Sequence, residues 1–99
     1  SGTVLVADAS ANLIRGWHPE KGLTTVALQG LQVPHGVAVD GKGNIIVAEL
    51  GADRVTAHAG SASRTVLQGL KRPAAVLLDG AHLWVADLGH HQLKRLPYP

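Results

Sequence analysis

The chain has 99 residues, 45% of them apolar and 16% charged, and its nine Lys plus Arg against seven Asp plus Glu leave a net charge of +2. That balance describes an ordinary folded unit, and with no block of like charge neither nucleic acid nor an anionic membrane surface is an expected partner. The absence of Cys excludes disulfides, thiolate catalysis and cysteine-held metal, and no apolar run approaches the ~18 residues of a spanning helix.

In chain order, short runs rich in Val, Ile, Leu and Thr predict strands at 3–8, 13–18, 24–29, 36–40, 44–49, 54–58, 64–68, 75–79, 82–87 and 92–96. Gly, Pro, Asn and Asp clusters separate them, and no window sustains a helical period, so essentially no α-helix is expected. The runs repeat. Val4-Leu5-Val6-Ala7-Asp8 returns as Ile45-Ile46-Val47-Ala48-Glu49 and again as Leu83-Trp84-Val85-Ala86-Asp87, at intervals of 41 and 38 residues. Leu28-Gln29-Gly30-Leu31 before Val33-Pro34 matches Leu67-Gln68-Gly69-Leu70 before Arg72-Pro73. Val37-Ala38-Val39-Asp40-Gly41 matches Val76-Leu77-Leu78-Asp79-Gly80. Three phrases recurring in one order mark a repeat architecture.

The repeat resembles the NHL repeat, in which Pro, Gly and an apolar strand lead through Asp-Gly-Asn to a second strand ending Val-Ala-Asp, then to a glycine turn and Arg. Pro34-His35-Gly36-Val37-Ala38-Val39-Asp40, Gly43-Asn44-Ile45-Ile46-Val47-Ala48-Glu49 and Gly51-Ala52-Asp53-Arg54 follow the pattern closely. The third copy has Gln92 in place of the Arg, and the first has Ala9-Ser10-Ala11-Asn12 in place of the glycine turn. The resemblance implies an all-β fold: a β-propeller segment of four-stranded antiparallel blades. With strands lettered a to d from the centre outward, residues 1–33 hold a partial blade (b-c-d), 34–72 a complete blade and 73–99 a partial blade (a-b-c). Propellers close with about four to eight blades, so this is an incomplete ring. The missing Met and the opening Ser1-Gly2 read as a segment of something larger; there is no recognisable leader or membrane span, and the compartment is not fixed.

Asp8, Glu49 and Asp87 each end a b strand before a tight turn, where a carboxylate accepts backbone N–H groups or pairs with a base such as Arg54. Asp40 and Asp79 precede Gly and suit hairpin turns. All six are expected to be structural positions of the repeat. Of the six His, the tandem His90-His91 is expected to make turn contacts, because neighbours on an extended chain point to opposite faces. His35 opens strand a, which the resemblance places at the central channel, and in the amidating lyases of this architecture histidines of several blades meet there on a metal. The third copy offers Ala74 at that place, so His35 is a channel-lining residue or one ligand of a divalent metal completed by other blades. Lys71 and Arg72 join it on the expected ligand face. Trp84 is expected in the blade core and Trp17 to be partly exposed. The two end blades are expected to show bare apolar faces built from Val4, Val6, Val76, Leu78, Trp84 and Val85.

The function these features imply is a non-catalytic binding scaffold without a cofactor of its own. Further copies of the chain, or the remaining blades of a parent chain, complete the ring, which binds a protein or small-molecule ligand. The alternative is a fragment of a metal-dependent lyase or hydrolase with His35 lining the channel.

Overall fold

The computed structural model describes residues 3–98, and the backbone alone of Leu23. Ser1, Gly2 and Pro99, which the blade boundaries above include, lie outside the described residues. Ten strands form three antiparallel sheets: β1 (Val4–Asp8), β2 (Leu13–His18) and β3 (Leu23–Leu28); β4 (Pro34–Val39), β5 (Ile45–Glu49), β6 (Arg54–Ala59) and β7 (Ala62–Leu67); β8 (Pro73–Asp79), β9 (His82–Asp87) and β10 (Gln92–Pro97). Within each sheet the strands lie in sequence order, joined by tight turns. The helical content of the described residues is three single 3-10 turns, Ala9–Ala11, Leu50–Ala52 and Leu88–His90.

Turn chemistry explains this regularity. Gly60 and Gly80 each open a two-residue hairpin at φ of 60° and 58°, the mirror-image geometry that glycine adopts without strain. The β4–β5 turn is instead closed by the Asp40 carboxylate, which accepts from the Lys42 and Asn44 backbone N–H groups at 2.9 and 2.8 Å and from Asn44 Nδ2 at 2.9 Å. After each 3-10 turn the chain passes through the left-handed region at Asn12, Asp53 and His91, with φ of 57°, 54° and 54°. Asn, Asp and His enter that region more readily than other residues with a side chain.

Two cores lie between the sheets. Ile14, Leu31 and Val47 are buried between the first and second, with Leu5 and Val37 packed on them. Ile46, Ala48, Val55, Leu70, Leu83 and Val85 are buried between the second and third. Leu31 and Leu70, the repeated leucines of the connections, each plug one core. The edge strands β4 and β8 approach so closely that a Cβ on Gly36 would stand 2.8 Å from Ala75 Cα and 3.0 Å from Val76 N.

The end faces differ in composition from the sequence reading. Val76, Leu78 and Val85 point inward and pack between the second and third sheets. On β8 the accessibility alternates, and it is Leu77 that stands out, 63% exposed, with Leu93 of β10 at 70%. Trp84 belongs to this outer face and lies half-buried beneath the Arg95 guanidinium, 5.6 Å from its ring centre. The opposite end shows Val4, Val6 and Trp17, exposed by 46%, 47% and 40%.

Candidate functional site

His35 lies in β4 and is exposed. Pro34 pairs with Glu49 and Gly36 with Ala48, so His35 is the extra residue of a bulge, the device by which strands re-aim a side chain. The third sheet repeats the bulge, with Pro73 opposite Asp87 and Ala75 opposite Ala86, and there the extra residue is Ala74. One imidazole and one methyl therefore occupy equivalent places. No group of three or more His, Cys, Asp or Glu stands close enough to hold a metal ion among the described residues. What His35 offers is a single exposed donor or acceptor.

Lys71 and Arg72 lie in the connection from β7 to β8, and both are exposed. Their backbones carry the structural burden. The Lys71 N–H donates to Asp87 Oδ1 at 2.8 Å, and the Arg72 N–H, at a residue with φ of 53°, donates to Asp53 Oδ1 at 2.9 Å. The preceding connection is built alike. The Gln32 N–H donates to Glu49 Oε1 at 2.9 Å, and the Val33 N–H donates to Asn12 Oδ1 at 3.0 Å. Each connection is thus held from both sides, by the left-handed residue of the sheet it leaves and by the carboxylate of the sheet it enters.

The three strand-end carboxylates share this place but differ in their remaining partners. Glu49 is fully buried, and Arg54 Nε reaches it at 3.2 Å while the Thr56 hydroxyl donates to it at 2.7 Å. Burial pushes the Glu49 carboxyl up, but the bonds from Thr56, Gln32 and Arg54 outweigh it and hold the group below its ordinary range. Asp87 is also fully buried, with His90 Nδ1 at 2.7 Å and Gln92 Nε2 at 3.1 Å. There too burial is overcome by donors, the Lys71 N–H first, and the pKa falls to about 2. Asp8 accepts from Arg15 at 2.8 Å, Ser10 at 3.0 Å and the Ala11 N–H at 3.3 Å, and the Arg15 bond most strongly lowers its pKa. Asp40 is likewise held low, its burial outweighed by the Asn44 N–H and the Tyr98 hydroxyl, which donates to it at 2.9 Å. Asp79 ends β8 opposite His82.

Asn12 and Asp53 were not singled out from the sequence. The signal was present, because Asn12, Asp53 and His91 each stand four residues after the strand-end carboxylate. Three different residue types at that offset conceal a shared backbone requirement.

No family model matches the chain, and no curated protein matches it. Among solved structures it is similar to a chain of a nidogen/laminin complex, with a TM-score of 0.81 and 19% identity over 97% of this chain and 39% of that one. It is similar to a catalytically inactive virginiamycin B lyase from Staphylococcus aureus, solved with quinupristin, with a TM-score of 0.71 and 17% identity over 98% of this chain and 38% of that one. A streptogramin B lyase gives 0.68 and 19% identity over 96% and 40%. The chain thus spans about two fifths of each. These neighbours are β-propellers, and at such identities the likeness carries the fold and not the chemistry. Three stacked antiparallel sheets and these neighbours together make the chain an all-β propeller segment whose ring is incomplete.

Proposed function

We propose that the chain supplies blades of the NHL type to a closed propeller that serves as a non-catalytic scaffold, completed by further copies of the chain or by the rest of a parent chain. The observation that carries this reading is the pair of bare apolar sheet faces, Val4, Val6 and Trp17 at one end and Leu77, Trp84 and Leu93 at the other. Strands of one sheet pack on those of the next throughout the interior, and these end faces are what such packing leaves open. Covering a standard interface removes ~800 Å² per partner, and apolar burial at ~25 cal/mol per Å² favours it although association costs offset much of the gain. In the closed ring the exposed His35, Lys71 and Arg72 would face a protein or small-molecule ligand.

Sedimentation velocity of the chain at low micromolar concentration tests the reading. A closed oligomer, or a complex with the remaining polypeptide, is the expected result, and Leu77→Lys should dissociate it. A folded monomer with both faces bare would refute it.

A second reading, a metal-dependent lyase or hydrolase, is favoured by one observation, the aim of His35 out of a bulge in β4. It requires ligands from blades outside this chain. Sub-micromolar zinc binding by the chain, lost in His35→Ala, would establish it over the scaffold.

A further inference from the structure

The two clefts between neighbouring sheets are built from equivalent residues, and one is filled while the other is open. Positions can be matched by counting from the strand-end carboxylate. Nine and eleven residues after Asp87 stand Leu96 and Tyr98, and both pack into the gap between the second and third sheets. Nine and eleven after Glu49 stand His58 and Gly60, on the wall that faces the first sheet. On the opposing walls the bulge residue is Val66 in the filled cleft and Ala27 in the open one. Three smaller or more polar residues thus replace Leu, Tyr and Val. Tyr98 divides what is left between the second and third sheets into separate spaces of about 140 and 270 Å³, whereas the cleft between the first and second sheets holds about 620 Å³ in one piece.

The open cleft has two unlike walls. One is Ala27 and Leu28 of β3, with Gln29 beyond them. The other carries Thr56, His58, Ser61, Ser63 and Thr65, with the Glu49–Arg54 pair at its inner end. The Thr56 hydroxyl gives its proton to Glu49 at 2.7 Å and lies 2.8 Å from His58 Nε2, so Nε2 must carry the hydrogen of that second bond. The Nδ1 lone pair of a neutral His58 is then an acceptor held in place by a buried carboxylate through one hydroxyl. Burial holds the His58 pKa below its usual value, Arg54 acting in the same sense and Glu49 against it, and β3 places no charged residue on this cleft.

We propose that the cleft between the first and second sheets is a binding site for a neutral sugar of one or two rings. The volume falls within the ~300–1,000 Å³ of small-molecule pockets. The Glu49–Arg54 pair cancels its own charge, and Arg64 of β7, which also borders the cleft, turns its guanidinium away to the Tyr98 ring, 5.8 Å from the ring centre, so no unpaired charge is aimed into the cleft to favour ions. A pyranose presents hydroxyls at its edge and C–H groups on its face, and the two walls match those surfaces: fixed acceptor and hydroxyls on one side, Ala27 and Leu28 on the other. Both walls belong to one chain, so the site does not depend on ring closure or on the face that carries His35.

NMR titration of the 99-residue chain with maltose, and separately with glucuronate, tests the proposal. Maltose should shift the His58 imidazole and the Ser63 and Thr65 amides saturably, and bind more tightly than glucuronate. The double variant His58→Leu with Ala27→Val should weaken binding roughly tenfold or more, as should Ser63→Leu on the exposed strand β7, which leaves the cores untouched. His35→Ala should leave the affinity unchanged. Absence of cleft shifts, shifts centred on His35, Lys71 and Arg72, tighter glucuronate binding, or full affinity in a folded Ser63→Leu chain would each overturn it.

Discussion

Asp53 performs two tasks with one side chain: it tolerates a left-handed backbone and it accepts the Arg72 N–H across the connection. Replacement by Ala removes both, at ~1–2 kcal/mol for the conformation and ~1 kcal/mol for the bond. Asp53→Ala is therefore expected to lower the urea-derived unfolding free energy by about 2–3 kcal/mol, Asp53→Gly by about half of that, and Asp53→Asn by little. Asp87 and His58 contribute to the response to acid alongside the lowered carboxyls of Asp8, Asp40 and Glu49. Both have folded pKa values below their ordinary ones, so the unfolded chain takes up protons first and stability falls with falling pH. The His58 contribution is present above its ordinary value of 6.5 and is lost as pH falls below it. The Asp87 contribution is present above 3.8 and is lost as pH falls through about 2. Chemical denaturation across pH should show both limbs, with His58→Gln flattening the upper and Asp87→Asn making the lower shallower, the rest of the lower limb coming from Asp8, Asp40 and Glu49.

At the scale of the element, strand positions were readable because apolar runs and turn formers alternate along the whole chain. The differences have local causes. β4 and β8 begin at Pro34 and Pro73, two residues before the expected starts, because pairing with Glu49 and Asp87 precedes the bulge. β7 begins at Ala62, inside a Ser-rich stretch whose polarity hides a strand that the Gly60 turn nonetheless sets. The side on which residues of β8 and β9 fall was not legible. A run such as Val76-Leu77-Leu78 is apolar at every position, so nothing in it reveals the two-residue period that sends Leu77 outward and its neighbours inward. The open cleft was hidden for a similar reason: His58 and Gly60 gain meaning only when set against Leu96 and Tyr98 in the structure. Gly36 provides a test of strand packing. With backbone 2.8 Å from its missing Cβ, Gly36→Val should cost about 1–3 kcal/mol or more by overpacking, read as a lowered melting temperature. The matching change Ala75→Gly should cost less.

At the scale of the whole molecule, interior and end positions should respond differently to substitution. Leu83 is fully buried between the second and third sheets, and Leu83→Ala is expected to cost about 2–5 kcal/mol regardless of concentration. Leu77→Lys on the bare face should leave the isolated fold near its original stability and change only the sedimentation of the assembly. The doubly held connections also bear on how the arc comes apart. A stack of repeats behaves as a one-dimensional array, in which cooperativity depends on coupling between neighbours relative to the stability of each unit. Here part of that coupling runs through four amide hydrogens, those of Gln32, Val33, Lys71 and Arg72, each engaged in a bond to a side chain of an adjoining sheet. Loop amides ordinarily exchange with solvent at the rate of local fraying. These four should instead exchange as slowly as the strands they join, and should quicken together once Asn12 or Asp53 is truncated, as the arc loosens into separately melting sheets.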